Sequence, residues 1–339
     1  VEEGTVVIFA KVPARTGYVN QGWSSKKNSE KATAKAKCTV NKNITLYAVQ
    51  KKAVQLTFHR CDGSTWQKTT LAKGSSYSLP GVRDAEGYTF MGWSTKPMQS
   101  VSPQYEAEEK ITVNGNVDLY AVVFNRTTET DLTEDQLPQV DIYKYKQVIF
   151  VGDSRTEFME NVLTGMGESA TKNVKFVCSA GKGLDWFTTT GWAQLYSIVQ
   201  HDSNSILSKK TAVIFNFGVN DLSKSADYAE YYNWIAPQLK SKGCELYFMS
   251  VNPVNRLMLP NAGRADRSEA AVRSFNQYMK ANLSSAYTYI DMYSYLKSTG
   301  YSFASDHYGT GTVDDGLHYT TRTYKRIFAK CMDSLRVPA

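Results

Sequence analysis

Residues 147–155 read QVIFVGDSR, and this stretch decides the fold of the C-terminal half. Val148, Ile149, Phe150 and Val151 form a continuous, partly β-branched apolar run, of the kind carried by strands buried on both faces of a parallel sheet. Gly152 breaks the run. Residues 156–163 (TEFMENVL) have helical character, so Ser154 falls at a strand-to-helix turn beside the orphan N–H groups and positive dipole end of a helix. A hydroxyl placed there is suited to nucleophilic attack. Serine is equally a good N-cap, and this stretch alone leaves both readings open.

Working outward, the same grammar repeats downstream. Strand-like runs are expected at 148–152, 174–180, 212–218, 245–251 and 288–292, and helix-like stretches at 186–201, 226–241, 265–282 and 320–335. Alternation at this spacing predicts an α/β sandwich with a mostly parallel sheet, whose ligands bind beyond the carboxyl ends of the strands. Four polar motifs fall at such ends, in order: GDS at 152–154, SAGKG at 179–183, GVND at 218–221 and DGLH at 315–318.

Acyl transfer needs a nucleophile, a base, a group that orients the base and donors for the oxyanion. Ser154 supplies the first. His318 is the best base, because Asp315 precedes it by three residues and a D-x-x-H turn lets a carboxylate bond one imidazole nitrogen while the other faces the serine. The oxyanion would take N–H groups from Ser154 and a glycine loop, with a side-chain amide from Asn220. His307 rivals His318 and Asp314 rivals Asp315, but only Asp315 has the three-residue spacing. Asn220 and Asp221 are also compatible with a simple turn that caps the next helix, and Asp153 and Asp221 read as loop supports.

Together and in this order, the four motifs closely resemble the SGNH hydrolase (GDSL-type esterase) superfamily over residues 146–339. The resemblance implies a three-layer, flavodoxin-like sandwich on a mostly parallel five-stranded sheet. It also implies Ser154, Asp315 and His318 as catalytic residues and Ser154, Gly181 and Asn220 as the oxyanion hole. Gly183 is the alternative to Gly181, which comes first after the strand. Where the common form of the first block has Leu, this chain has Arg155, which reads as a candidate contact to an anionic or carbonyl group of substrate, or as a salt bridge to a neighbouring acid. No cofactor is called for, and the histidines form no metal-ligand cluster.

The front half contains an internal repeat. GYVNQGWSSK at 17–26 returns as GYTFMGWSTK at 87–96, and TVNKNITLYAV at 39–49 returns as TVNGNVDLYAV at 112–122. Few helix signals and repeated Tyr and Trp predict small, mostly β modules with an aromatic core. The pattern resembles the β-grasp-like internalin-type B repeat of Gram-positive surface proteins, which implies export and a spacer or adhesive role. The expected domains are a shortened first copy at 1–51, a second copy at 52–125, a polar linker at 126–145 carrying Pro138, and the hydrolase at 146–339.

Charge follows this division. Residues 1–125 hold 16 Lys and Arg against 10 Asp and Glu, whereas residues 126–339 hold 23 against 22. The basic surplus of the repeats is either a solvated face or a means of meeting an acidic wall polymer. The five cysteines are odd in number and lack C-x-x-C spacing, which argues against a zinc site or a disulfide framework. No run approaches a membrane span. The first residues lack the basic n-region of a signal peptide, which reads as a chain beginning after processing.

The expected function is a secreted or surface-attached serine esterase that removes short acyl groups, acetyl above all, from a carbohydrate. Trp186, Phe187 and Trp192 are either a sugar-stacking wall or the buried face of a helix. The alternatives are a lipase or thioesterase, which would need an apolar acyl groove, and a glycan-binding adhesin without turnover. Expected partners are an ester or acylated glycan and a wall polysaccharide, with no nucleic acid.

Overall fold

The computed structural model describes residues 1–141, 144–202, 210–308 and 311–335. The chain divides into two compact units. One comprises Val1–Leu79, Trp93–Met98 and Glu109–Ala121, and the other Pro80–Gly92, Gln99–Glu108 and Val122–Ala339.

The repeats are built of strands that pair mostly antiparallel, with β4 and β9 parallel: β1 (Thr5–Ile8), β2 (Tyr18–Ser24), β3 (Lys37–Val40), β4 (Tyr47–His59), β5 (Thr65–Ala72), β6 (Ser75–Ser78), β7 (Tyr88–Ser94), β8 (Lys110–Val113) and β9 (Val117–Asn125). Their main sheet runs β2-β4-β9-β7 with β5 on β4, while β1 pairs β3 and β6 pairs β8. Strand β4 serves both copies. Its first half pairs with β2 and its second half with β5, so residue 51 lies inside one continuous strand. In the first unit Phe58 packs edge-on to Trp93, with ring centroids 4.8 Å apart, and Trp66 stacks on Trp93. These aromatics are core, as their repetition implies.

The second unit is centred on five parallel strands: β10 (Tyr145–Gly152), β11 (Val174–Cys178), β12 (Lys210–Asn216), β13 (Cys244–Met249) and β14 (Tyr287–Ile290). Their order is β11-β10-β12-β13-β14, the doubly wound flavodoxin-like arrangement. Each expected strand is present. Because side chains alternate along β10, Ile149 and Val151 enter one core layer and Val148 and Phe150 the other. The helices are α1 (Ser154–Met166), α2 (Glu168–Thr171), α3 (Leu184–Trp186), α4 (Trp192–Asp202), α5 (Ser225–Lys240), α6 (Glu269–Asn282), α7 (Met292–Thr299) and α8 (Thr321–Ser334). Apolar faces of α4, α5 and α6 join the first layer, and those of α1, α7 and α8 join the second.

Three features lay beyond the sequence reading. Strands β15 (Phe303–Tyr308) and β16 (Gly311–Tyr319) pair antiparallel, and the DGLH motif occupies the irregular stretch of β16 between the Ser305–Asp314 and Phe303–Tyr319 pairs. The segment expected to be a linker is docked: buried Glu129 accepts hydrogen bonds from Ser302 Oγ at 2.6 Å, from Arg326 Nη1 at 3.0 Å and from Thr323 Oγ1. Finally, Met91, Val122 and Phe124, which belong to the second repeat in sequence, are buried in the second layer of the α/β core.

Candidate active site

Strand β10 and its two neighbours bring three motifs to one edge. Gly152 is level with Cys178 on β11 and with Asn216 on β12, so Ser154, Gly181 and Asn220 all leave the sheet at the carboxyl ends of adjacent strands. Asp153, not Ser154, caps α1: its Oδ1 accepts from the Arg155 N–H at 3.0 Å. Ser154 is therefore freed from the capping role and occupies the first helical position, 6% exposed.

Strand β16 delivers the remaining two residues from across the sheet edge. His318 Nε2 lies 2.9 Å from Ser154 Oγ, and His318 Nδ1 lies 2.5 Å from Asp315 Oδ2. The other carboxylate oxygen accepts the N–H groups of Leu317 at 2.8 Å and His318 at 2.7 Å. Burial pushes the Asp315 carboxyl up, but the His318 hydrogen bond, its charge and the two N–H groups outweigh burial and hold it below the ordinary carboxylate range. An ionised Asp315 keeps the proton on Nδ1 and leaves Nε2 to accept from the serine hydroxyl. The rival Asp314 is spent on Arg126 at 2.5 Å and Ser305 Oγ at 3.1 Å. The side chains of His307 and His201 lie outside the described residues.

On the oxyanion side, Gly181 is exposed, with φ +69°, and its N–H and that of Ser154 make no hydrogen bond among the described residues. Gly183 is differently placed. A Cβ there would stand 2.3 Å from Asp221 Oδ2, an oxygen that also accepts the Leu184 N–H at 2.9 Å, while Tyr228 donates to Asp221 Oδ1 at 2.7 Å. Asp221 is thus a clamp on the glycine loop. Asn220 Nδ2 donates one hydrogen to Lys182 O at 2.8 Å, and Arg267 donates to Asn220 Oδ1 at 2.8 Å and to Val219 O at 2.7 Å. An amide carries two hydrogens, so one remains.

Arg155 is corrected. It is 2% exposed, and its guanidinium donates to Leu317 O at 3.0 Å, Asn252 O at 2.9 Å and Pro253 O at 2.9 Å. Among the described residues it forms no salt bridge; it ties the strand bearing His318 to the loop that follows β13. The planar fork of five donors is what lets one side chain bind three carbonyls. Phe187 is fully buried against Phe215 and Phe217, and Trp186 packs on Phe217, so these aromatics form the buried helix face.

Two residues near the site escaped the sequence reading. Phe158, 41% exposed, stacks on the His318 ring with centroids 4.5 Å apart. Its position four residues after Ser154, on one helical face, is the signal that would have found it. Arg267 has no local pattern to betray it. Beside Asn220 opens a cleft of about 410 Å³, lined by polar groups of Asn220, Ser223, Arg256, Asp266 and Arg267 and by apolar ones such as Val219 and Leu222. A larger cleft of about 1110 Å³ runs along residues 130–141, α7 and α8 and is lined by none of Ser154, Gly181, Asn220, Asp315 and His318. Among the described residues no cluster of His, Cys, Asp and Glu is arranged to hold a metal, and no helix is long and apolar enough to cross a membrane.

A family model described as GDSL-like lipase/acylhydrolase matches residues 148–331, and one described as the Listeria-Bacteroides repeat domain matches residues 1–49 and 55–122. Among solved structures, one from Bacteroides fragilis NCTC 9343 named as an acylhydrolase is 16% identical, covering 60% of this chain and 93% of its own, with a TM-score of 0.38. An acetyl xylan esterase is 12% identical over 56% of this chain and 100% of its own, with a TM-score of 0.37. The C-terminal catalytic domain of the Streptococcus pneumoniae peptidoglycan O-acetyltransferase A is 15% identical over 56% of this chain and 92% of its own, with a TM-score of 0.34. No curated protein matches the chain.

Proposed function

The chain belongs to the GDSL-like lipase/acylhydrolase family, and from that premise we propose that it is a secreted or surface-attached serine esterase that removes short acyl groups, acetyl above all, from a carbohydrate. The observation that carries the reading is the unbroken chain from Ser154 Oγ to His318 Nε2 at 2.9 Å and from His318 Nδ1 to Asp315 Oδ2 at 2.5 Å.

In this mechanism His318 takes the Ser154 proton as Oγ attacks the ester carbonyl carbon, and Asp315 stabilises the imidazolium that forms. The oxyanion is met by the N–H groups of Ser154 and Gly181 and by the remaining hydrogen of Asn220. A single such donor is worth about 10²–10³ in rate. The intermediate collapses when His318 returns the proton to the departing alcohol oxygen, leaving Ser154 acylated. Water then attacks under the same base, the acid leaves, and the serine regains its proton.

The carbohydrate part rests on the cleft beside Asn220, where Asn220, Ser223, Arg256, Asp266 and Arg267 offer hydrogen-bonding groups to a sugar. The surface-type repeats support the location, and their basic surplus suits contact with an acidic wall polymer.

The test is p-nitrophenol release from acetyl and octanoyl esters by the wild type and Ser154→Ala. Acetyl turnover that disappears in a folded Ser154→Ala protein is expected. Preference for octanoate would favour a lipase, and absence of turnover on both esters, together with glycan binding, would favour an adhesin.

A further inference from the structure

The residues on either side of Asp315 are tied to a carboxylate and a guanidinium that the catalytic motifs do not contain. Asp84, whose side chain is 1% exposed, accepts from the Phe90 N–H at 3.0 Å, from Asn255 Nδ2 at 2.8 Å and from Arg126 Nη2 at 2.8 Å. Arg126 also reaches Thr89 Oγ1 at 2.9 Å and, through Nη1, Asp314 Oδ2 at 2.5 Å. Asn255 continues the chain, since its backbone N–H donates to Gly316 O at 2.9 Å. The residues immediately before and after Asp315 are therefore anchored to one buried ion pair by two separate routes.

The backbone at Gly316 packs tightly against the loop that bears Asn255. Its φ of +67° favours glycine, and an added Cβ would lie 2.6 Å from Asn255 O and 2.7 Å from Met258 Cβ. The Asp315 carboxylate is itself held by the Leu317 and His318 N–H groups, with Arg264 Nη2 at 3.6 Å, and the anchors on residues 314 and 316 fix the backbone that carries it. Segment 80–92 is itself secured to the α/β unit: Lys297 Nζ, buried, donates to Met91 O at 2.7 Å and pairs with Glu106 at 2.8 Å and Glu269 at 3.2 Å. Glu269 Oε2 in turn accepts the Val254 N–H at 2.9 Å, at the root of the loop bearing Asn255.

We propose that Asp84 and Arg126 are positioning residues for Asp315, so that the second surface repeat, through Asp84, and the segment just after it, through Arg126, contribute a strut to the acid–base machinery of the hydrolase. The proposal rests on the serine esterase reading and adds the claim that the repeat sequence acts on the chemistry rather than serving as a spacer alone. Alignment errors of an ångström cost about 10²-fold in rate, which sets the size of effect a strut of this kind controls.

The experiment uses the full chain and p-nitrophenyl acetate. Every neighbour of the Asp84 carboxylate is a donor, so Asp84→Asn puts an NH₂ against a donor. This variant is expected to lower kcat by about 10- to 100-fold with KM within twofold. In an Asp315→Asn background the same substitution should cost less than twofold, because no carboxylate remains to be misaligned. Equal losses in both backgrounds would overturn the proposal, as would unchanged kcat in Asp84→Asn. Should Asp84→Asn fail to fold, Arg126→Lys carries the same pair of measurements, since a point charge cannot span Asp84 and Asp314 as the fork does. A wild type without Ser154-dependent turnover would overturn the esterase reading, and this proposal with it. Ser154-dependent turnover indifferent to both variants would overturn the positioning role alone.

Discussion

Asp153 and Arg155 flank the nucleophile and show how much of a catalytic motif is spent on holding it. Arg155 satisfies three carbonyls with one side chain, and Asp153 supplies the cap that leaves Ser154 free. Asp153 also carries a cost. Its Oδ2 is buried without a hydrogen-bond partner, and burial, opposed by the Arg155 N–H and guanidinium and by Arg267 and reinforced by Asp221, pushes its carboxyl up to about 6. A folded-state value above the ordinary 3.8 means the native state binds the proton more tightly than the unfolded chain does. Stability therefore falls as pH rises from about 4 to about 6, and the full cost persists above that window. Asp84 is pushed the same way, also to about 6, chiefly by burial, so only the difference between variants isolates Asp153. Asp153→Asn keeps the cap and removes the charge. Its stability gain over wild type is expected to grow by about 2 kcal/mol between pH 4.5 and pH 7. Urea unfolding at the two pH values checks this, and a gain independent of pH would refute it.

At the scale of elements, the oxyanion side is two loops pinned together. Asp221, from the loop after β12, lies against Gly183 and accepts the Leu184 N–H, while Asn220 grips Lys182 O. A methyl group at residue 183 must displace a carboxylate that Tyr228 also holds. Gly183→Ala is expected to cost about 1–3 kcal/mol in the lost hydrogen bond, and a shift of the Gly181 loop should lower kcat for p-nitrophenyl acetate by at least tenfold. An unchanged kcat would detach this loop from oxyanion binding. All five strands of the α/β sheet, and the motifs at their ends, were legible because the central strands β10, β12 and β13 carry apolar runs, the outer β11 and β14 are rich in aromatic and β-branched residues, and each functional turn is polar and glycine-bearing. The pairing of β15 with β16 was not legible, since neither carries such a run and the ladder is broken between the Phe303–Tyr319 and Ser305–Asp314 pairs. The role of Arg155 was missed for a related reason: backbone carbonyls have no sequence signature.

For the whole molecule, sequence repeats and structural units do not share boundaries. The repeat pattern at 87–96 and 112–122 is legible as one module, yet segments 80–92 and 99–108 and the end of β9 belong to the compact unit that contains the α/β sheet. Matching residues in a repeat report common ancestry of a stretch of chain, whereas burial reports where its side chains ended up. Met91 is fully buried in the α/β core, and the Phe124 ring lies directly over Gly300, where even a Cβ would clash with it. Deleting residues 1–124 would remove both side chains, at about 2–5 kcal/mol each, and would leave the buried ammonium of Lys297 without the Met91 carbonyl and without Glu106. Asp84 would be lost with them. Such a chain is expected to be insoluble or to melt well below the full-length protein, and to retain less than a hundredth of its esterase activity. Deleting residues 1–51 takes away only the first copy and the edge partner of β4, so turnover of a small soluble ester should stay within twofold of wild type. Thermal melts and p-nitrophenyl acetate assays of the two truncations separate the cases. A chain of residues 125–339 that folded and turned over at the full rate would show that the second repeat is a spacer after all, because its buried side chains would then be replaceable by water at no cost to the site.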